Sequence, residues 1–92
     1  MLSKQTIKFI SSLRYNKYRL KYNCFIVEGV NSVNVFLNSK FKMHSVFCTQ
    51  EFVPKYNFDT ISIVTQRDLK KISSLKNPPP VLAIFYRPVL KF

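Results

Sequence analysis

Residues 14–22 read Arg-Tyr-Asn-Lys-Tyr-Arg-Leu-Lys-Tyr, four cations and three tyrosines in nine positions with no acid among them. Arg14, Lys17, Arg19 and Lys21 carry the charge that neutralises phosphates, and Tyr15, Tyr18 and Tyr22 carry flat faces that stack on exposed bases. Single-stranded or looped RNA offers both partners together. The competing role for the tyrosines is core packing. Tyr22 adjoins an apolar run and is the one of the three expected to be buried.

Two smaller groups have binding chemistry. Gly29-Val30-Asn31-Ser32 opens a helix whose first N–H groups, with the Asn31 and Ser32 side chains, suit a phosphate and equally suit plain capping. Lys70, Lys71 and Lys76 gather around a helix end, where the helix dipole alone also favours lysine.

Catalytic groups are sparse. His44 is the single histidine, and the acids Glu28, Glu51, Asp59 and Asp68 are scattered, with no triad or carboxylate pair in view. Gly29 is the only glycine, so no glycine-rich phosphate loop exists. His44 reads as a turn or strand-edge residue. Cys24 and Cys48 lie far apart in apolar runs and lack metal-ligand spacing. They read as buried, reduced thiols of a cytoplasmic protein, and no metal is expected.

The net charge is +11. The chain is rich in Lys, Asn, Ile, Phe and Tyr, as an AT-rich genome would make it, and that bias raises the lysine count by itself. It does not explain the shortage of acids, none of which precedes Glu28. A polyanionic partner is therefore expected. No run approaches the roughly 20 apolar residues that span a bilayer, and the polar N-terminus is no signal peptide. The 92 residues, 47% of them hydrophobic, suffice for one domain with one core.

The elements that must position these groups alternate. Ser3 is a good N-cap for a helix with Ile7, Ile10 and Leu13 on one face, and Leu2 and Ile7 can form its staple. The helix is expected to fade near Leu13, leaving 14–22 as a solvated loop. A strand over 24–28 ends at Gly29. A second helix presents Val30, Val33 and Leu37, with Phe36 beside them, and Asn38-Ser39-Lys40 breaks it. A strand over 45–48 leads to Thr49, a cap for a short helix through Phe52 that Pro54 ends or bends. A third strand covers 61–64. Thr65 to Asp68 forms a capping box, Val64 and Leu69 flank it as a staple, and Leu69 and Ile72 face inward. Pro78-Pro79-Pro80 forces an extended connection. The continuous apolar run 81–86 is a strand covered on both faces, and Arg87-Pro88 ends it. Strands alternating with helices imply an α/β fold, a sheet sandwiched between helical layers.

Several segments together resemble one family. Leu2-Ser3-Lys4 with Ile7, the Lys17-Tyr18-Arg19 step and Phe25-Ile26-Val27-Glu28-Gly29 are similar to the start of SpoU/TrmH-type RNA ribose methyltransferases. So are Leu69-Lys70-Lys71-Ile72-Ser73-Ser74-Leu75-Lys76-Asn77-Pro78 and the following Val81-Leu82-Ala83. The resemblance covers essentially the whole chain, in order. It implies the family's N-terminal substrate-binding domain: a three-layer α/β sandwich of helices around a small, roughly four-stranded mixed sheet, similar to kink-turn-binding ribosomal proteins. It also implies a knotted catalytic domain downstream that binds S-adenosylmethionine and forms a homodimer. No motif of that domain stands in these residues, so the chain itself is expected to hold no cofactor. Two places depart from the family. Pro79-Pro80 replace a glycine, often Gln-Gly. Val30-Asn31-Ser32 replace charged helix residues and are similar instead to the Gly-Xaa-Asn step of kink-turn binders, with Ser32 where those carry Glu.

The resulting expectation is an RNA-recognition domain, for ribosomal RNA or tRNA, that serves a ribose 2′-O-methyltransferase and is not itself catalytic. Its RNA-binding residues would be Arg14, Tyr15, Lys17, Tyr18, Arg19, Lys21, Gly29, Asn31, Ser32 and Lys76. The alternatives are a stand-alone RNA-binding module of ribosomal type, or a basic adaptor for an acidic protein or a membrane surface.

Overall fold

The computed structural model describes residues 2–55 and 61–88. The first helix, α1, covers Lys4–Ser12. The Ser3 hydroxyl caps it, accepting from the Thr6 N–H at 3.1 Å. Ile10 and Leu13 are fully buried, and Leu2 and Ile7 pack against the same apolar cluster. Burial of each such side chain contributes roughly 1.5–3 kcal/mol.

The basic-aromatic segment is a helix and not a loop: α2 spans Asn16–Tyr22. Its Lys, Arg and Leu residues are good helix formers, and nothing in it breaks a helix. Asn23 ends it in the left-handed region, at φ 57°, a conformation Asn tolerates better than other non-glycine residues. The Asn23 side chain then donates to the Arg87 carbonyl at 2.9 Å, and the Arg87 N–H returns a bond to the Asn23 carbonyl at 2.8 Å. The end of α2 is thereby tied to the end of the last strand.

Strand β1 is Cys24–Glu28, helix α3 is Val30–Leu37 and strand β2 is Met43–Cys48. A 3₁₀ helix follows over Gln50–Lys55, so Pro54 lies inside a helical element where a stop or bend was expected. Nor does Thr49 cap it with its side chain. The Thr49 carbonyl accepts from Phe52, while its buried hydroxyl finds no partner among the described residues. Strand β3 is Ile61–Ile63, helix α4 is Gln66–Ile72 and strand β4 is Val81–Tyr86.

The four strands form one mixed sheet in the order β1-β4-β2-β3. β4 pairs antiparallel with β1, Cys24 opposite Tyr86 and Glu28 opposite Leu82, and antiparallel with β2, Cys48 opposite Val81. A register shift separates Met43 from Ser45 in β2. β2 and β3 run parallel, with Val46 opposite Ile61. The central strand β4 has residues 81–85 buried on both sides, as its unbroken apolar run requires.

Each sheet face carries its own cluster. Ile10 of α1, Leu13 at its C-cap, and Leu69 and Ile72 of α4 meet Cys24, Phe47, Leu82 and Ile84 on one face. Val33 of α3 meets Val27, Val46, Cys48, Ala83 and Phe85 on the other, joined by Phe25, Phe36 and Phe41. Cys24 and Cys48 therefore sit in different layers as free thiols, and burial pushes both thiols above their ordinary range. The capping box at Thr65 is complete: Asp68 N–H donates to the Thr65 hydroxyl and Thr65 N–H to the Asp68 carboxylate, each at 3.1 Å.

Candidate nucleic-acid interface

The ten residues singled out from the sequence fall into separate places. Arg14 follows α1, and its Nη2 donates to the carbonyls of Ile72 at 3.1 Å and Ser73 at 2.7 Å. Those carbonyls end α4, where unpaired acceptors and the dipole favour a cation. Arg19 acts alike on α1, its Nη1 donating to the Leu13 carbonyl at 2.9 Å. The two arginines thus clamp helix ends, and they line a cleft of about 550 Å³ together with Leu13, Phe25, Ile26, Glu28 and Ser74. Glu28 accepts from the hydroxyls of Ser73 and Ser74 on the same wall. A guanidinium has five donors, so each arginine keeps some for a ligand after meeting its carbonyls.

Lys17 and Lys21 are exposed on α2. Their ammonium groups lie 5.5 Å from the ring centroids of Tyr18 and Tyr22 respectively, cation–π contacts that hold the charge beside the ring. Tyr15, Tyr18 and Tyr22 line a groove of about 360 Å³ against α1, with Lys8 and Phe9 on the opposite wall. Tyr18 and Tyr22 lie nearly parallel, 6.3 Å apart. Tyr22 is not the buried member of the set. It is 41% exposed and Tyr15 66%, while Tyr18 is the half-buried one. The i, i+3, i+7 spacing of these tyrosines is that of one helical face, a signal present in the sequence.

Gly29 takes φ 101° as it turns from β1 into α3. Its N–H is already committed to the Val81 carbonyl at 3.0 Å, and its carbonyl accepts from Val33 at 2.9 Å. Asn31 and Ser32 are exposed in the first turn of α3. Lys76 is exposed in the connection between α4 and β4, and it lines neither the arginine cleft nor the tyrosine groove.

Sequence reasoning missed three residues. His44 lies inside β2, where a turn or strand edge was expected, and is half-buried between two aromatic rings. Phe9 is 5.5 Å from it on one side and Tyr86 is 5.3 Å away on the other. Only the sheet pairing brings β2 and β4 beside α1, so no local signal marks this grouping.

The model of the MRM3-like substrate binding domain matches residues 4–83. Comparison with curated proteins finds no match. Among solved structures, a TrmH-family protein from Porphyromonas gingivalis superposes with a TM-score of 0.87 at 31% identity, over 100% of this chain and 38% of its own. An AdoMet-bound rRNA methyltransferase from Sinorhizobium meliloti gives 0.79 at 21% identity, over 96% of this chain and 35% of its own. The SpoU methyltransferase AviRb from Streptomyces viridochromogenes, in complex with AdoMet, gives 0.77 at 14% identity, over 96% and 37%. At those last two identities the likeness is one of fold. The chain thus spans little more than a third of the length of these proteins. With the family's domain matched over 80 of its 92 residues (4 to 83 inclusive), the chain belongs to the MRM3-like substrate binding domains of the SpoU/TrmH group.

Proposed function

We propose that this domain recognises RNA, ribosomal RNA first, for an S-adenosylmethionine-dependent ribose 2′-O-methyltransferase whose catalytic part lies outside these 92 residues. The observation that carries the reading is the substrate-binding family match over residues 4–83. The acid-free basic segment on α2 supports it. Lys17 and Lys21 supply mobile charge to the phosphate backbone, and Arg14 and Arg19 supply fixed charge at the mouth of their cleft. The tyrosines offer stacking faces. Gly29, Asn31 and Ser32 form a second contact, as the likeness to kink-turn binders suggests, and Lys76 adds charge.

The residues described here do not fit the methyl donor. Binding it needs close backbone approach, and the one glycine spends its N–H on Val81 at the start of α3. No step of methyl transfer is assigned to them. In this reading the donor, the chemistry and homodimerisation belong to the other part of a cytoplasmic protein, and this domain delivers the nucleotide.

The test is direct. The domain should bind ribosomal RNA fragments in a salt-dependent manner and transfer no labelled methyl group, whereas the whole protein should methylate a ribose 2′-oxygen. Failure of the domain to bind any RNA, or saturable donor binding by the domain in calorimetry, would overturn the reading.

A further inference from the structure

The tyrosine groove does not stop at α1. Ring follows ring across one end of the sheet. Tyr18 lies 6.3 Å from Tyr22, Tyr22 5.2 Å from Phe9, Phe9 5.5 Å from His44 and His44 5.3 Å from Tyr86. Phe9 also lines a second hollow, which holds His44, so the two hollows adjoin at Phe9. Tyr86 opens a third hollow with Lys40, Lys42 and Arg87 at its rim. Cations thus flank both ends of the strip, Lys17 and Lys21 at one and Lys42 and Arg87 at the other. None of the residues lining these three hollows is acidic.

Exposure grades along the strip. Tyr22 and Tyr86 are 41% and 37% exposed, while Phe9 and His44 are half-buried between them. The two middle rings form a floor that fixes the outer two. We propose that the strip is a stacking platform for the bases of single-stranded RNA, with Tyr22 and Tyr86 as its two contact rings. The proposal rests on the RNA-binding reading above and goes beyond the charged segment to name the form of RNA and the surface that takes it.

The spacing selects the form. Stacked nucleotides rise about 3.4 Å per step, whereas the two contact rings are separated by Phe9 and His44, with ring-to-ring steps of 5.2, 5.5 and 5.3 Å between them. Bases must leave their own stack to reach both contact rings, which a single strand permits and a duplex does not. The interplanar angles point the same way. Phe9 meets Tyr22 edge-on at 74° and His44 meets Tyr86 at 58°, so the rings present separate faces and not one continuous wall. The flanking charge selects a polyanion, and face-stacking by aromatic rings tolerates any base.

Anisotropy with a labelled short oligouridylate and with a duplex of equal length tests this. Tyr22→Ala and Tyr86→Ala should each weaken the single strand by roughly 5- to 150-fold and leave the duplex unchanged. Tyr22→Phe and Tyr86→Phe should bind as the parent does, because the ring is kept. Photo-crosslinking of thiouridine-substituted single strands to the unaltered chain should map to peptides holding Tyr22 and Tyr86, and it decides the matter if an alanine variant fails to fold. Parent-like single-strand affinity in both folded alanine variants, or crosslinks confined to the α3 turn, would overturn the platform while RNA binding stands. A parent chain that binds neither RNA but binds anionic vesicles or polyglutamate would overturn the RNA reading and the platform with it.

Discussion

Arg14 joins the two helices that pack on one face of the sheet: from the end of α1 its Nη2 donates to the carbonyls of Ile72 and Ser73 at the end of α4, at 3.1 and 2.7 Å. A cation of the basic segment is thus also a fastening of the fold. Arg14→Ala removes two charge-assisted bonds and leaves both carbonyls to water. The side chain is exposed, so the loss falls low in the range for such bonds, about 1–2 kcal/mol. Urea denaturation should show that fall, and an unchanged midpoint would mean that the clamp contributes nothing. Arg19→Ala, which loses one carbonyl, should cost about 0.5–1.5 kcal/mol. RNA affinities of both variants are meaningful only where they are folded.

Lys17 and Lys21 make the opposite case. Among the described residues their ammonium groups meet only the neighbouring Tyr18 and Tyr22 rings, so Lys17→Ala and Lys21→Ala should change stability by no more than about 0.5 kcal/mol. If the domain neutralises about four to six phosphates, log K against log salt should have a slope of roughly −3 to −5. Each lysine variant should flatten that slope by about one. A parent slope near zero would remove the phosphate contacts from the account.

The chain order of elements was readable because its signals are local. Ser3, Gly29 and the Thr65–Asp68 box mark helix starts, and the apolar run 81–86 reads as a buried strand without reference to its neighbours. The order β1-β4-β2-β3 was not readable, since it depends on pairings between distant segments. α2 was missed for a different reason. It buries no residue and leaves Leu20 60% exposed, so it has no apolar stripe, only a tyrosine face. The types of the candidate residues were legible; their engagements within the fold were not. Arg14 finds its carbonyls 58 and 59 positions away, and no spacing rule in the sequence reveals that.

Gly29 tests backbone geometry separately from packing. A Cβ placed there meets nothing within 4 Å, yet φ is 101°. Gly29→Ala should therefore fold without a clash and lose about 1–3 kcal/mol through backbone strain alone. A thermal midpoint equal to the parent's would show that the turn relaxes at no cost.

Asp68 gives the fold an acid-sensitive point. The Thr65 N–H bonded to its carboxylate holds Asp68 below the usual carboxylate range, against a smaller opposing effect of burial, and Lys71 adds to the lowering. A carboxyl group whose value is depressed on folding stabilises the native state when ionised. Its contribution is complete above the unfolded value, about 3.9, and is lost as pH falls through the lower folded value. Stability should thus decline as the solution is taken from about pH 5 toward pH 2. Asp68→Asn has no proton to gain, so it should start less stable at neutral pH and show a shallower decline. Thr65→Ala removes the hydroxyl cap and should cost about 0.5–2 kcal/mol at neutral pH. It keeps the backbone N–H that holds the carboxylate, so much of the acid dependence should survive. Urea midpoints measured across this range for the three proteins separate the two halves of the box. Parallel curves for the parent and Asp68→Asn would show that Asp68 is not what acid releases.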